Sequence, residues 1–258
     1  MGGQVRNLST QFLMHELHPL INFGIFPIFN FMTGIGFIFS FILLNHNFKN
    51  ITDSKIKKDD IIIYLGLSFL IGIGLSNIVN WFIFPELSDK SYIFKIVNAG
   101  YTFYFGLIGF FLSISVFLKF LNYDINVYLN EIVPSITLFH GIGRIGCLFG
   151  GCCYGNICNI NIYFYEFERF PTRELSIVFL FTLTVIFQKY IKQKRLKFYL
   201  ILYPIFRFLI EFMRGDDRGY LFTDIFSPSQ EISLIIIIIV IMVIGYDYIK
   251  RKFMIHNN

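Results

Sequence analysis

His140 and Arg144 stand four residues apart in the run His-Gly-Ile-Gly-Arg-Ile-Gly-Cys-Leu-Phe-Gly-Gly-Cys-Cys-Tyr-Gly, residues 140–155, inside a chain otherwise dominated by Ile, Phe and Leu. On a helix that spacing puts both side chains on one face, and Gly143, Gly146 and Gly150 open space beside them. Arg144 has no acid three or four residues away, so its counter-charge comes from another helix, an acidic loop or a bound anion. Glu211 and Glu174 are the candidates within the protein. A planar, permanently charged guanidinium suits a phosphate ester, to which it donates two parallel hydrogen bonds. The expected chemistry is an anion site embedded in a membrane, because ionisable groups there turn toward a bundle interior or a wet cavity.

A second constellation, Arg207, Glu211 and Arg214, repeats at spacings of four and three and predicts another polar stripe on an apolar helix. It has a purely structural reading too: Arg207 and Glu211 neutralise each other while Arg214 snorkels to the lipid headgroups. All four cysteines, Cys147, Cys152, Cys153 and Cys158, fall within residues 147–158. They admit three readings: metal ligands, a disulfide such as Cys153 to Cys158, or inert packing. The spacing is not that of a zinc knuckle, and adjacent cysteines are awkward as two ligands of one ion, so no metal site is expected. His140 fits a core hydrogen bond as well as catalysis. Tyr104 and Tyr154 are weaker candidates in so aromatic a chain.

The elements that position these residues are membrane helices. The chain is 55% hydrophobic, 19% aromatic and only 15% charged, with a mean hydropathy of +0.62, which is the composition of an integral membrane protein. Its 258 residues hold about seven helices of roughly 20 residues joined by short loops, so one domain over residues 1–258 is expected. Apolar runs place spans at 22–44, 61–84, 98–120, 131–150, 171–187, 198–213 and 230–246. The fold class is therefore an all-α bundle of about seven transmembrane helices. The polar start, residues 1–17, lacks the basic-then-apolar pattern of a cleaved signal. Lysines gather beside the hydrophobic runs instead of forming one basic face, so the net charge of +5 reads as topology and excludes nucleic acid as a partner. Basic clusters follow spans one, five and seven. The positive-inside rule then puts the N-terminus and the 140–155 motif outside and the C-terminus in the cytoplasm.

These motifs resemble the prolipoprotein diacylglyceryl transferases of bacterial inner membranes, over most of the chain. Gly143 to Gly146 with Gly150 and Gly155 is similar to the family signature, in the variant that ends Gly-Cys-Cys-Tyr-Gly. Gly106 to Gly109 resembles its Gly-Leu-Ile-Gly, and Pro171-Thr172 with Glu174 its Pro-Ser/Thr segment. Arg207, Glu211 and Arg214 resemble its Arg-Phe…Glu-Phe…Arg stretch, and Ser229-Gln230 through Ser233 the opening of its last helix. The resemblance implies transfer of the diacylglyceryl group of phosphatidylglycerol to the lipobox cysteine thiol of a prolipoprotein, with release of glycerol phosphate and formation of a thioether. It implies a multi-pass protein of the bacterial cytoplasmic (inner) membrane. Its partners would be phosphatidylglycerol, signal peptides with a lipobox cysteine and the lipid bilayer, and it needs no cofactor.

By the same resemblance Arg144 holds the lipid headgroup, with Gly143, Gly146, Gly155, Arg207 and Glu174 around the substrate, and Arg214 is the second essential arginine. Many members carry a histidine where Tyr104 stands, and Cys147 and Cys152 occupy positions usually held by asparagine and an acid. A base role would fall to Tyr104 or His140, with Glu211 or Glu174 as orienting partner. The rival reading is a paralogue that binds anionic phospholipid without transferase activity. A small-anion transporter is more remote, because the chain lacks an evident inverted repeat.

Overall fold

A computed structural model describes residues 28–49, 51, 58–83, 103–162, 165–216 and 221–256. The expected beginning of the first span with Pro27, the polar residues 1–17, Lys55 and Lys57, the loop 85–95, residues 98–102, Asp217 and Arg218 lie outside the described residues. Seven helices occur among the described residues: α1 (Ile28–Phe48), α2 (Lys58–Ile83), α3 (Phe103–Phe120), α4 (Ile125–Phe149), α5 (Thr172–Lys189), α6 (Arg195–Glu211) and α7 (Pro228–His256). Five of them, α1, α2, α3, α4 and α7, are long and apolar enough to cross a membrane. The other two, α5 and α6, carry charge at the start, Arg173 and Glu174 in one and Arg195 and Lys197 in the other.

Where a loop was expected at 151–170, the chain forms an antiparallel hairpin of β1 (Ile157–Ile162) and β2 (Tyr165–Arg169), with a register irregularity between Ile157 and Ile160. Ile157, Ile160 and Ile162 are β-branched residues set among polar ones, the composition that favours a strand over a helix.

The elements divide into two compact units. The first contains α1, α4 from Glu131 onward, the hairpin, α5 and the segment after α6 that carries Arg214. Here Gly36 lets α1 approach α4, since a Cβ would meet Phe139 and Ile142 at 3.3–3.4 Å. One polar network ties three helices of this unit together. Arg195 donates through Nε to the carbonyls of Phe187 (3.0 Å) and Ile191 (2.8 Å), and its guanidinium pairs with Glu131 at 2.7 Å. Asn47 donates to the Glu131 carbonyl (3.2 Å) and accepts from Gln188 (2.8 Å). Arg195 is thus a buried C-terminal cap of α5, unlike the exposed Lys192, Lys194 and Lys197 around it.

The second unit contains α2, α3, the first turns of α4, α6 and α7. Its α2–α3 crossing is set by glycine. A Cβ on Gly72 would lie 2.6 Å from the Gly106 carbonyl, and one on Gly109 would lie 3.2 Å from the Gly72 Cα. The Gly-Leu-Ile-Gly segment therefore serves backbone approach between helices. Gly66 and Gly74, on the same helix, face open space.

Candidate active site

In the first unit α4 continues without interruption through Pro134 to Phe149, so His140, Arg144 and Cys147 follow one another along one face at spacings of four and three. Arg144 is buried and its Nε donates to His140 Nε2 at 3.3 Å. In that bond Nε2 is the acceptor, which engages the lone pair a base would use. His140 and Arg144 are thus hydrogen-bonded to each other along one helix face. A Cβ built on Gly143 meets nothing within 4 Å, so this glycine leaves room beside Arg144 that packing does not fill, while Gly146 contributes its carbonyl to Gly150 at 2.9 Å.

After α4 the chain turns back through two residues of left-handed conformation, Gly151 (φ +68°) and Cys153 (φ +62°). For a cysteine that conformation is strained, and the surrounding contacts hold it: the Cys153 carbonyl accepts from Thr172 Oγ1 at 2.9 Å, at the start of α5. Gly155 then pairs with Arg214 in an isolated antiparallel bridge. Flanking bonds run from Asn156 N to the Met213 carbonyl (2.8 Å) and from Gly215 N to the Tyr154 carbonyl (3.1 Å). Any Cβ on Gly155 would collide with the Phe170 carbonyl. Gly155→Ala is expected to force backbone apart and to cost about 2–3 kcal/mol. A thermal unfolding curve in detergent checks this, and an unshifted midpoint would mean that the strip tolerates a side chain.

Arg214 thus stands off the helix on which its spacing from Glu211 had placed it. α6 ends at Glu211, and the buried Arg214 sits on the strip that pairs with the cysteine loop. Nor does it snorkel: Asp216 grips one edge of its fork, accepting from Nε at 2.8 Å and Nη2 at 2.6 Å. Asp216 was not singled out from the sequence; an acid two residues after an arginine was the available signal. Glu174, in the first turn of α5, lies 4.0 Å from its neighbour Arg173 and is suited to the helix N-terminus.

The four cysteines are free thiols, so the possible Cys153–Cys158 disulfide is not formed, and the sulfurs of Cys147, Cys152 and Cys153 lie within 4.8 Å of one another. Hydrogen bonds from Cys147 and Cys152 hold the Cys153 thiol well below the ordinary thiol range, and the charges of Arg214 and Arg144 act in the same direction against burial. Its thiolate therefore persists to lower pH than that of an ordinary cysteine. Both arginines that the motifs point to bear on this one loop.

The second unit holds Arg207, Glu211 and Tyr104. Arg207 pairs with Glu211 at 2.7 Å, with both side chains about 3–4% exposed, and also donates to Ser229 Oγ at 3.0 Å. Ser233 donates to the Ser229 carbonyl (2.6 Å), and Tyr104 contacts Ser233 Oγ at 2.7 Å. With the only Ser233 proton spent on that carbonyl, the Tyr104 phenol is the donor. In this arrangement the phenol is engaged as a donor. Glu231, also missed in the sequence, accepts from Phe222 N, Thr223 N and Thr223 Oγ1 at 2.6–2.9 Å and fixes the loop that leads into α7.

Apolar helices carrying buried arginines, one bonded to a histidine and one to an aspartate, define a helical membrane protein with buried cationic groups. A family profile described as "Prolipoprotein diacylglyceryl transferase" matches residues 20–246. The chain is 30% identical to a phosphatidylglycerol-prolipoprotein diacylglyceryl transferase of Clostridium tetani, over 93% of this chain and 99% of that protein. It is 30% identical to phosphatidylglycerol-prolipoprotein diacylglyceryl transferase 2 of Clostridium perfringens (87% and 92% covered), and 28% identical to the enzyme of that name from Pasteurella multocida (95% and 98%). This chain belongs to the prolipoprotein diacylglyceryl transferase family.

Proposed function

We infer that this protein transfers the diacylglyceryl group of phosphatidylglycerol to the thiol of a lipobox cysteine in prolipoprotein signal peptides. The observation that carries the reading is the pairing of the Gly155 strip with Arg214, which brings a second buried arginine to the loop that follows Arg144. In the reaction a C–S bond forms at the glyceryl carbon as its C–O bond to phosphate breaks. The thiol proton ends on the released glycerol phosphate or in the medium. The phosphate passes from a diester with one negative charge toward a monoester with two, so a fixed cationic clamp binds the transition state more tightly than the lipid.

Arg144 and Arg214 are that clamp, and no cofactor takes part. His140 and Asp216 position the two guanidinium groups, Gly143 and Gly146 keep the approach open, and Gly155 lets the backbone strip that carries Arg214 pair closely. Glu174 stands in the first turn of α5, beside the Thr172 hydroxyl that holds the Cys153 carbonyl. The charges of Arg144 and Arg214, which act on Cys153 in the direction of the thiolate, would also favour the thiolate of an acceptor cysteine beside them, and in this reading Tyr104 is not the base. Tyr104, Arg207 and Glu211 serve by ordering the polar chain of the second unit.

The whole chain, 1–258, works as one transferase domain, a reading supported by a family match that takes in segments of both units. It spans the bacterial cytoplasmic membrane seven times, α5 and α6 included, with the N-terminus outside and the C-terminus inside. The test is an assay in phosphatidylglycerol vesicles with a lipobox peptide, following glycerol phosphate release and peptide mass. Peptide gaining one diacylglyceryl group supports the reading. Arg144-dependent lipid binding with no product would move it to the non-transferring paralogue.

A further inference from the structure

Three thiols meet at the turn after α4, and neither the phosphate clamp nor the acceptor peptide requires them. Cys147 is buried on the last turns of the helix, Cys153 is half-buried and Cys152 is exposed, and their sulfurs all lie within 4.8 Å of one another. Sulfurs sharing one ion at a metal–sulfur distance of about 2.3 Å are about 3.8–4.0 Å apart, so a small contraction of the trio completes a chelate. Adjacency of Cys152 and Cys153, a handicap on an extended chain, is overcome here by the left-handed Gly151 and Cys153, which fold the loop back on the helix end.

We propose that Cys147, Cys152 and Cys153 form a thiolate site for a thiophilic divalent cation of the zinc class, which fastens the loop carrying Gly155 to the end of α4. Three thiolates and one such ion leave a net charge of −1, and Arg144 and Arg214 supply neighbouring positive charge to balance it. Three protein ligands leave a fourth position for water, and exposed Cys152 provides the way in. Cys158, on β1, stands outside the trio and is the internal control.

The experiment titrates reduced, metal-stripped full-length protein in detergent with cadmium and reads sulfur-to-cadmium charge-transfer absorption. One ion per chain is expected. Cys147→Ser, Cys152→Ser and Cys153→Ser should each weaken binding by at least about 100-fold, the upper end of what loss of a mere outer-shell partner costs, while Cys158→Ser changes nothing. Because a serine variant can fail to fold, the same question is put to the unaltered protein: cadmium should protect the three thiols, and not Cys158, from alkylation as read by peptide mass. Absence of saturable uptake by the reduced protein, charge-transfer absorption that survives in all three variants, or protection that does not distinguish the trio from Cys158 would each overturn the site.

Discussion

Arg144→Ala is expected to lower phosphatidylglycerol-dependent transfer by about 10²–10³-fold, the effect of removing one preorganised donor from a developing oxyanion. Lipid binding should fall far less, because the diester carries only part of the charge that the departing monoester will carry. Arg144→Lys keeps the charge and loses the fork, so an intermediate rate is expected. The neighbouring histidine sharpens the test. Since His140 Nε2 accepts from Arg144 Nε at 3.3 Å, His140→Ala should cut turnover more than lipid binding by freeing the guanidinium to swing, whereas His140→Gln, which still offers an acceptor, should recover part of the rate without shifting the pH profile. A general base would instead give equal losses in both variants and remove the acid limb of that profile. The measurement is kcat and KM for each variant in phosphatidylglycerol vesicles.

The His140–Arg144 pair was legible in the sequence because helical spacing is local: four residues in the chain are one turn in space. The apolar runs gave the helices for the same reason, with bounds that differ by a few residues at most of the described ends. Arg214 was legible as a charged residue and misplaced as a member of a stripe, since periodicity carries past Glu211 while the helix does not. What removes Arg214 from it is a bridge to Gly155, 59 residues earlier, and no local pattern encodes that pairing. The cysteine trio was hidden in a similar way. Spacing rules for metal sites assume ordinary loop geometry, and the two left-handed residues at 151 and 153 break that assumption. Asp216, a loop acid, and Glu231, in the first turn of α7, were overlooked, although each is defined by what it holds: one arginine fork in the first case, one loop's backbone N–H groups in the second.

Glu211→Ala is expected to destabilise the protein by about 3–5 kcal/mol, because it strips the partner from a buried cation. Arg207 would then lose the carboxylate at 2.7 Å and retain contacts such as Ser229 Oγ at 3.0 Å. The two possible roles of this pair separate in the double variant. Replacing both groups with apolar residues of similar size, Arg207→Met with Glu211→Leu, removes the desolvation penalty along with the attraction, so thermal stability should return close to the unaltered protein's. If the pair is scaffold alone, transfer activity returns with stability. If Arg207 also orders Ser229 and Ser233 for catalysis, the double variant melts normally and remains slow, because Ser229 has lost its charged donor and the chain to Tyr104 is no longer anchored. The second outcome is expected. A hydrophobic pair can fill the volume of an arginine and a glutamate, but it cannot hold two serines and a phenol in register.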